Sequence, residues 1–297
     1  MINLNAKTSP ELYFDYRKGL EYLKTINNDD YEYPDNIINF HIYSEIRTDK
    51  ELSCVKSYFA TQNLEKTRLI IWSDYDISTQ ENLKPFADKI NFKVYNPLEE
   101  AKGTFLENNN SILMAHDSMY YLKSDLLRLL ILYKYGGIWI DMDILLLRDF
   151  KPLLDQEWMY QWGSETNYAV DGACATVLSL KKESILAETL LKEVLNMPIY
   201  SNSTTWGKNL FAKVYQKHEF DVFPSTFFNT EWLISKVDEQ LSFELQSKMW
   251  FEYPCPDEYL FLEAFAWHWH NSSNKYRIVN KSSKFDKLNT FIENKLK

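Results

Sequence analysis

Ser124-Asp125-Leu126-Leu127-Arg128, followed by Leu132-Tyr133-Lys134-Tyr135-Gly136-Gly137-Ile138-Trp139-Ile140-Asp141-Met142-Asp143, is the most informative stretch of this 297-residue chain. Residues 118–135 read as a helix stopped by Gly136, a residue type favoured just past a helix end because it accepts the left-handed conformation. Leu122, Leu126, Leu127, Leu129, Leu130, Ile131 and Leu132 lie on nearly every side of it, so the helix is expected to be buried. It nevertheless carries Asp125 and Arg128, three residues apart and so on one face. At about 100° per residue, Asp125 falls about 60° from Leu122 and about 40° from Leu129. Charges so placed must pair or face a polar cavity. After Gly136-Gly137 the run Ile138-Trp139-Ile140 reads as a strand ending in Asp141-Met142-Asp143, with Ile144 to Leu147 beyond. Carboxylates at i and i+2 of an extended chain point the same way and repel unless a cation lies between them. A hard divalent ion, Mg²⁺ or Mn²⁺, would fill that role, sharing carboxylate and phosphate oxygens.

Working outward, Ile37 to Ile42 and Arg68 to Trp72 are apolar runs of strand length, with Phe92 to Tyr95 a weaker third. Asp49 to Gln62 between the first two reads as a helix, and strand–helix–strand implies parallel pairing. Residues 9–25 read as another helix behind a cap-like Ser9, and the Asn/Asp-rich 26–36 as a linker. The second strand runs into Ser73-Asp74-Tyr75-Asp76, where α/β sheets hold ligands, beyond the carboxyl ends of strands. The expected class is α/β, with a mostly parallel sheet flanked by helices. Five of the seven glycines lie between 136 and 207, which points to the middle of the chain for the site.

Composition excludes several alternatives. With 42 acids against 33 bases the net charge is −9, which argues against a general nucleic-acid binder. The three cysteines show no CxxC spacing, so neither a disulfide framework nor a cysteine zinc site is expected. Leu126 to Leu147 is interrupted by Arg128, Lys134, Asp141 and Asp143 and does not read as a membrane span. No apolar signal core appears in Met1 to Tyr16, and a soluble, cytoplasmic protein is the expectation.

The 124–143 pattern resembles the sugar-nucleotide signature of the DXD glycosyltransferases, and most closely that of glycosyltransferase family 32 and related capsular-polysaccharide transferases. Ile38-Asn39-Phe40-His41-Ile42-Tyr43 and Ile71-Trp72-Ser73-Asp74 resemble that family's first two strands. The resemblance implies a GT-A fold: an N-terminal helical extension, 1–34, and a single domain, 35–297, with a nucleotide-binding half to about 147 and an acceptor half from 148. It implies transfer of a hexose-type sugar from a nucleoside-diphosphate sugar to a glycan or other hydroxyl acceptor. UDP-sugars are the first expectation, GDP-sugars the second, with retention of configuration and Mn²⁺ or Mg²⁺ as cofactor. It implies that Asp143 holds the metal and Asp141 the ribose or the metal shell. Asp125 and Arg128 would hold the donor's hydroxyls and phosphate side. His41, Ile42 and Tyr43 would line the nucleobase pocket, with Trp72 and Asp74 beside it and Gly136-Gly137 close to the donor. In Trp267-His268-Trp269-His270-Asn271-Ser272-Ser273, His268 matches the family's metal-binding histidine and His270 is a rival, while Asn271 and Ser273 would reach the diphosphate. Asn274 stands where the family has Trp. Asp171 falls in a segment that would face the anomeric centre or the acceptor. Thr205 to Lys208 and Phe223-Pro224 would shape the acceptor side.

Two other readings remain open. A haloacid-dehalogenase-like phosphohydrolase also places Asp-x-Asp at the end of an apolar strand, and a non-catalytic sugar-binding relative would suit the 47 aromatics. In 281–297, Phe285, Leu288, Ile292 and Leu296 recur at helical spacing among lysines. Such a helix either docks on its own domain with its lysines solvated or makes peripheral contact with an anionic membrane.

Overall fold

The computed structural model describes residues 2, 4, 8–115, 121–162, 173–199, 205–230 and 242–297. Its strands are β1 (Ile38–Tyr43), β2 (Thr67–Ser73), β3 (Ile90–Val94), β4 (Gly137–Ile140), β5 (Ile144–Leu146), β6 (Trp158–Gln161), β7 (Ala173–Leu180), β8 (Asp221–Phe223) and β9 (Ala266–His268). Its helices are α1 (Pro10–Phe14), α2 (Tyr16–Thr25), α3 (Asp49–Thr61), α4 (Pro97–Glu100), α5 (Asn110–Leu113), α6 (Tyr121–Tyr135), α7 (Ile185–Val194), α8 (Lys208–Tyr215), α9 (Phe243–Phe251), α10 (Asn271–Asn274) and α11 (Lys284–Leu296).

Seven strands form one sheet in the order β3-β2-β1-β4-β7-β6-β8. β1 pairs in parallel with β2 and β4, β2 with β3, and β6 with β8. β7 runs antiparallel to β4 and β6, so the sheet is mixed but mostly parallel. Successive residues of its strands enter different cores. Phe40, Ile42, Leu69, Ile71, Ile138 and Ile140 pack with Cys54, Val55 and Tyr58 of α3 and with Leu288 and Ile292 of α11. Ile70, Trp72 and Trp139 pack on the other face with the leucines of α6 and the apolar sides of α7 and α8. Both faces are covered, which is why the strands read as continuous apolar runs rather than alternating ones. α3 starts at a reciprocal cap: the Glu51 amide donates to Thr48 Oγ1 (3.2 Å) and the Thr48 amide to Glu51 Oε2 (3.0 Å).

Two sequence expectations shift, one falls partly outside the described residues, and the docking expected of the C-terminal helix is seen. The helix expected over 9–25 is two helices, because Asp15 adopts an extended conformation (φ −120°, ψ 104°) and caps α2 through the Arg17 amide (2.9 Å). β3 starts at Ile90 rather than Phe92. The start of the 118–135 helix lies outside the described residues, and α6 is followed from Tyr121. The C-terminal helix docks: Phe285, Leu288 and Ile292 are buried, Ser53 Oγ donates to Asn289 Oδ1 (2.7 Å), and Lys56 pairs with Glu293 (2.8 Å). Its lysines are not all solvated, since Lys284 is buried over the rings of Phe261 (4.9 Å) and Trp267 (5.4 Å). Among the described residues, no helix is long and apolar enough to cross a membrane.

Candidate active site

The site forms where the chain leaves β4. Gly136 ends α6 in the left-handed region (φ 63°), its amide donating to Leu132 O (2.9 Å). Gly137 then enters β4 at φ 111°, where a Cβ would sit 2.2 Å from Asn39 O. This backbone contact seats β4 against β1, four residues before Asp141 and thus about 13 Å away along the strand. The two glycines build the strand's beginning, and the carboxylates lie at its other end.

The segment Asp141-Met142-Asp143 is not extended. The Ile144 amide donates to Asp141 O (3.1 Å), closing a turn that gives the two carboxylates separate partners. Asp141 is met by Arg128, whose Nη2 reaches Oδ1 at 2.9 Å and Oδ2 at 3.2 Å, and by the Trp139 indole N–H at 2.6 Å. Arg128 also pairs with Asp125 (3.1 Å) and lies 5.5 Å from the Trp139 ring centroid. Burial disfavours its charge, but Asp141 and Asp125 outweigh that and hold the guanidinium protonated. A helix residue, its i+3 neighbour and the strand-end Asp therefore form one buried charge cluster. With both oxygens engaged, Asp141 is not poised as a phosphohydrolase nucleophile.

Asp143 looks the other way. β9 returns from the far end of the sequence to pair antiparallel with β5, placing Ile144 opposite His268. His268 Nε2 lies 3.2 Å from Asp143 Oδ2, the Asn271 amide donates to the same oxygen (2.8 Å), and the Trp269 amide donates to Asp143 O (2.9 Å). His270 stands beside it with ring centroids 3.8 Å from those of His268, in the left-handed conformation (φ 54°). Burial pushes the Asp143 carboxyl up, but His268, the Asn271 amide and His270 together bring it down to about 2. Among the described residues nothing bonds Asp143 Oδ1.

An oxygen and a nitrogen donor at right angles about one ion, each about 2.1 Å from it, lie about 3 Å apart, and the Asp143–His268 separation matches. Carboxylate plus imidazole suits Mn²⁺. Among the described residues no three His, Cys, Asp or Glu side chains form a closed cage. The pair therefore fits an ion that completes its shell from outside the protein.

The remaining expected residues take other places. His41 is fully buried: Trp72 Nε1 donates to its Nδ1 (3.2 Å), and its Nε2 faces Gly136 O (3.0 Å). Trp72 is core, packed against Tyr135 (5.9 Å) as well as His41, and Ile42 is core on the opposite face. Neither His41, Ile42, Trp72 nor the glycines are brought to the carboxylates. Tyr43 and Asp74 do meet at the carboxyl ends of β1 and β2, the tyrosine hydroxyl donating to Asp74 Oδ1 (2.7 Å). Ser273 is exposed, its amide donating to His270 O (3.1 Å). Asp171 lies outside the described residues. Sequence reading missed Trp139, although it shares a strand face with Asp141 two residues on, and Lys123, which pairs with Asp74 (2.6 Å) from α6.

Residues 48–160 match the family described as the glycosyltransferase sugar-binding region containing DXD motif. The chain carries a DXD glycosyltransferase region. Asp141-Met142-Asp143 lies inside the matched span. The fold is of GT-A type. It is similar to that of the glycosyltransferase GlyE of Streptococcus pneumoniae TIGR4, with a TM-score of 0.52 at 9% identity over 88% of this chain. The chain spans 63% of the GlyE chain, so GlyE is considerably longer. The PaToxG glycosyltransferase is matched over 97% of this chain and 95% of its own at 15% identity (TM-score 0.45). The galactosyltransferase LgtC, solved with donor and acceptor sugar analogs, is matched over 86% of this chain and 96% of its own at 12% identity (TM-score 0.44). Comparison with curated protein sequences yields no match.

Proposed function

We propose that this DXD glycosyltransferase is metal-dependent and moves a hexose-type sugar from a nucleoside-diphosphate sugar to a hydroxyl acceptor, with retention of configuration. The observation that carries the reading is Asp143 flanked by His268 Nε2 (3.2 Å) and the Asn271 amide (2.8 Å), beside the Asp125–Arg128–Asp141 cluster. Asp143 and His268 would hold the ion, Mn²⁺ by preference, which neutralises charge developing on the departing diphosphate. Arg128, kept cationic by two carboxylates, fixes Asp141 and Asp125 in one orientation beside Asp143, where carboxylate lone pairs would accept from sugar or ribose hydroxyls. The Trp139 indole locks Asp141 from behind. The fixed dipoles then need little rearrangement when charge shifts in the transition state. Overall, the bond from the anomeric carbon to the diphosphate oxygen breaks, the diphosphate keeps the electron pair, and the acceptor oxygen bonds to the anomeric carbon as its hydroxyl proton is released.

Calorimetric titration of uridine and guanosine diphosphates, with and without Mn²⁺, on the wild type and Asp143→Asn tests this. Mn²⁺-dependent binding of one nucleotide, lost in the variant, is the expected result and identifies the base. The sugar nucleotides of that base are then screened for hydrolysis and transfer, with the product anomer read by NMR. A folded wild type that binds neither nucleotide overturns the proposal and favours the non-catalytic reading.

A further inference from the structure

Lys50 stands second in α3 and is only 9% exposed. Its ammonium donates to Asn274 O (2.6 Å) and Arg277 O (2.9 Å), across more than 220 residues of sequence. It lies 5.0 Å from the Phe251 ring centroid and 5.4 Å from that of Trp269. Among the described residues no carboxylate comes within ion-pair distance of it. A buried cation held only by neutral carbonyls and aromatic faces is costly to desolvate, and the packing of a single helix does not require one. What it grips is informative. Asn274 is buried and uses its amide to donate to Trp269 O (2.9 Å) and His270 O (3.2 Å). Those two carbonyls bracket the left-handed turn at His270, and the next amide, that of Asn271, is the one bonded to Asp143.

We infer that Lys50 and Asn274 form a latch that positions the 268–271 turn on Asp143, making Lys50 a positioning residue for metal and diphosphate binding. The inference rests on the proposed role of Asp143 and His268. The latch ties the helix after β1 to the turn after β9. It also gives Asn274 a purpose at the position where the resembling family has Trp: its amide closes the turn from within, and Lys50 holds it from below.

The test uses the full chain as wild type, Lys50→Met, Lys50→Arg and Asn274→Ala. Amide hydrogen exchange is followed by NMR in metal-free protein, and Mn²⁺ binding is titrated with uridine or guanosine diphosphate. Lys50→Met is expected to accelerate exchange at Trp269 and Asn271 while leaving β1 and β4 protected. It is expected to weaken Mn²⁺–nucleotide binding about 10- to 100-fold, the range for groups that orient metal ligands. Lys50→Arg, which restores a cationic donor, recovers most of both effects. Asn274→Ala, which keeps Lys50 and the main-chain carbonyl, reproduces the local exchange pattern if Lys50→Met fails to fold. Unchanged exchange at Asn271, or acceleration spread evenly over the sheet, overturns the latch. If the wild type binds no nucleotide, the proposed function fails, and the exchange pattern alone decides the role of Lys50.

Discussion

His41 makes the stability of this fold sensitive to mild acid, by an amount that follows from its surroundings. The ring is fully buried in the sheet, accepts from Trp72 Nε1 at Nδ1 and faces Gly136 O with Nε2. One tautomer of the neutral ring satisfies both contacts, and a second proton on Nδ1 would confront the indole N–H. Burial lowers its pKa from 6.5 to about 4; nearby Lys93 acts in the same direction and the Gly136 carbonyl against it. Because the folded pKa is the lower one, there is no proton linkage above about pH 7. As pH falls through 6.5 the unfolded chain takes up a proton that the native chain refuses, and stability drops by up to about 1.4 kcal/mol per pH unit until about pH 4. Integrated from pH 8 to pH 5 this amounts to about 2 kcal/mol. The assay is urea unfolding of the wild type and His41→Gln at both pH values. The variant is expected to be less stable at pH 8, with the gap narrowing by about 2 kcal/mol at pH 5 because glutamine does not titrate. Carboxylates common to both proteins cancel in the difference. A gap that stays constant with pH refutes the argument.

Other perturbations follow from the same geometry. Arg128→Met removes the cation shared by the buried Asp125 and by Asp141, and is expected to cost about 3–5 kcal/mol in urea unfolding; a near-neutral result would show that the cluster is not the buried ion pair described. Gly137→Ala drives a Cβ to 2.2 Å from Asn39 O at a positive φ, so the melting temperature should fall by several degrees or the chain fail to fold. Ile292→Ala, in the docked face of α11, should cost about 2–4 kcal/mol, whereas a solvent-facing helix would lose almost nothing. Asp143→Asn should abolish Mn²⁺-dependent nucleotide binding while leaving the melting temperature of metal-free protein within a few degrees, as read by calorimetry and thermal unfolding.

Much of this architecture is written locally. The apolar runs of β1 and β2, the all-round leucines of α6, Gly136 as its stop and the strand into Asp141 each follow from short-range periodicity and backbone freedom, and each forms where the pattern placed it. The Asp125–Arg128 pairing was legible too, because helical spacing fixes it. What spacing could not reveal was the direction of the carboxylates. A single turn bond, Ile144 N–H to Asp141 O, separates Asp141 from Asp143 and commits the first to Arg128 and the second to the opposite side. Nor does local pattern say that His41 would spend both ring nitrogens inside the sheet. His268 and Asn271 were suggested by resemblance, but it is the β5–β9 ladder that carries them to a carboxylate more than 120 residues earlier. Lys50 gave no signal at all, since a lysine in the first turn of a helix reads as solvated until the carbonyls of Asn274 and Arg277 come to meet it. Sequence alone determined the first strands, the helix and its Asp125–Arg128 pair, because those depend on neighbours within a turn or two. The second half of the site was decided by tertiary structure, because hydrogen-bond ladders between distant segments leave no trace in local periodicity.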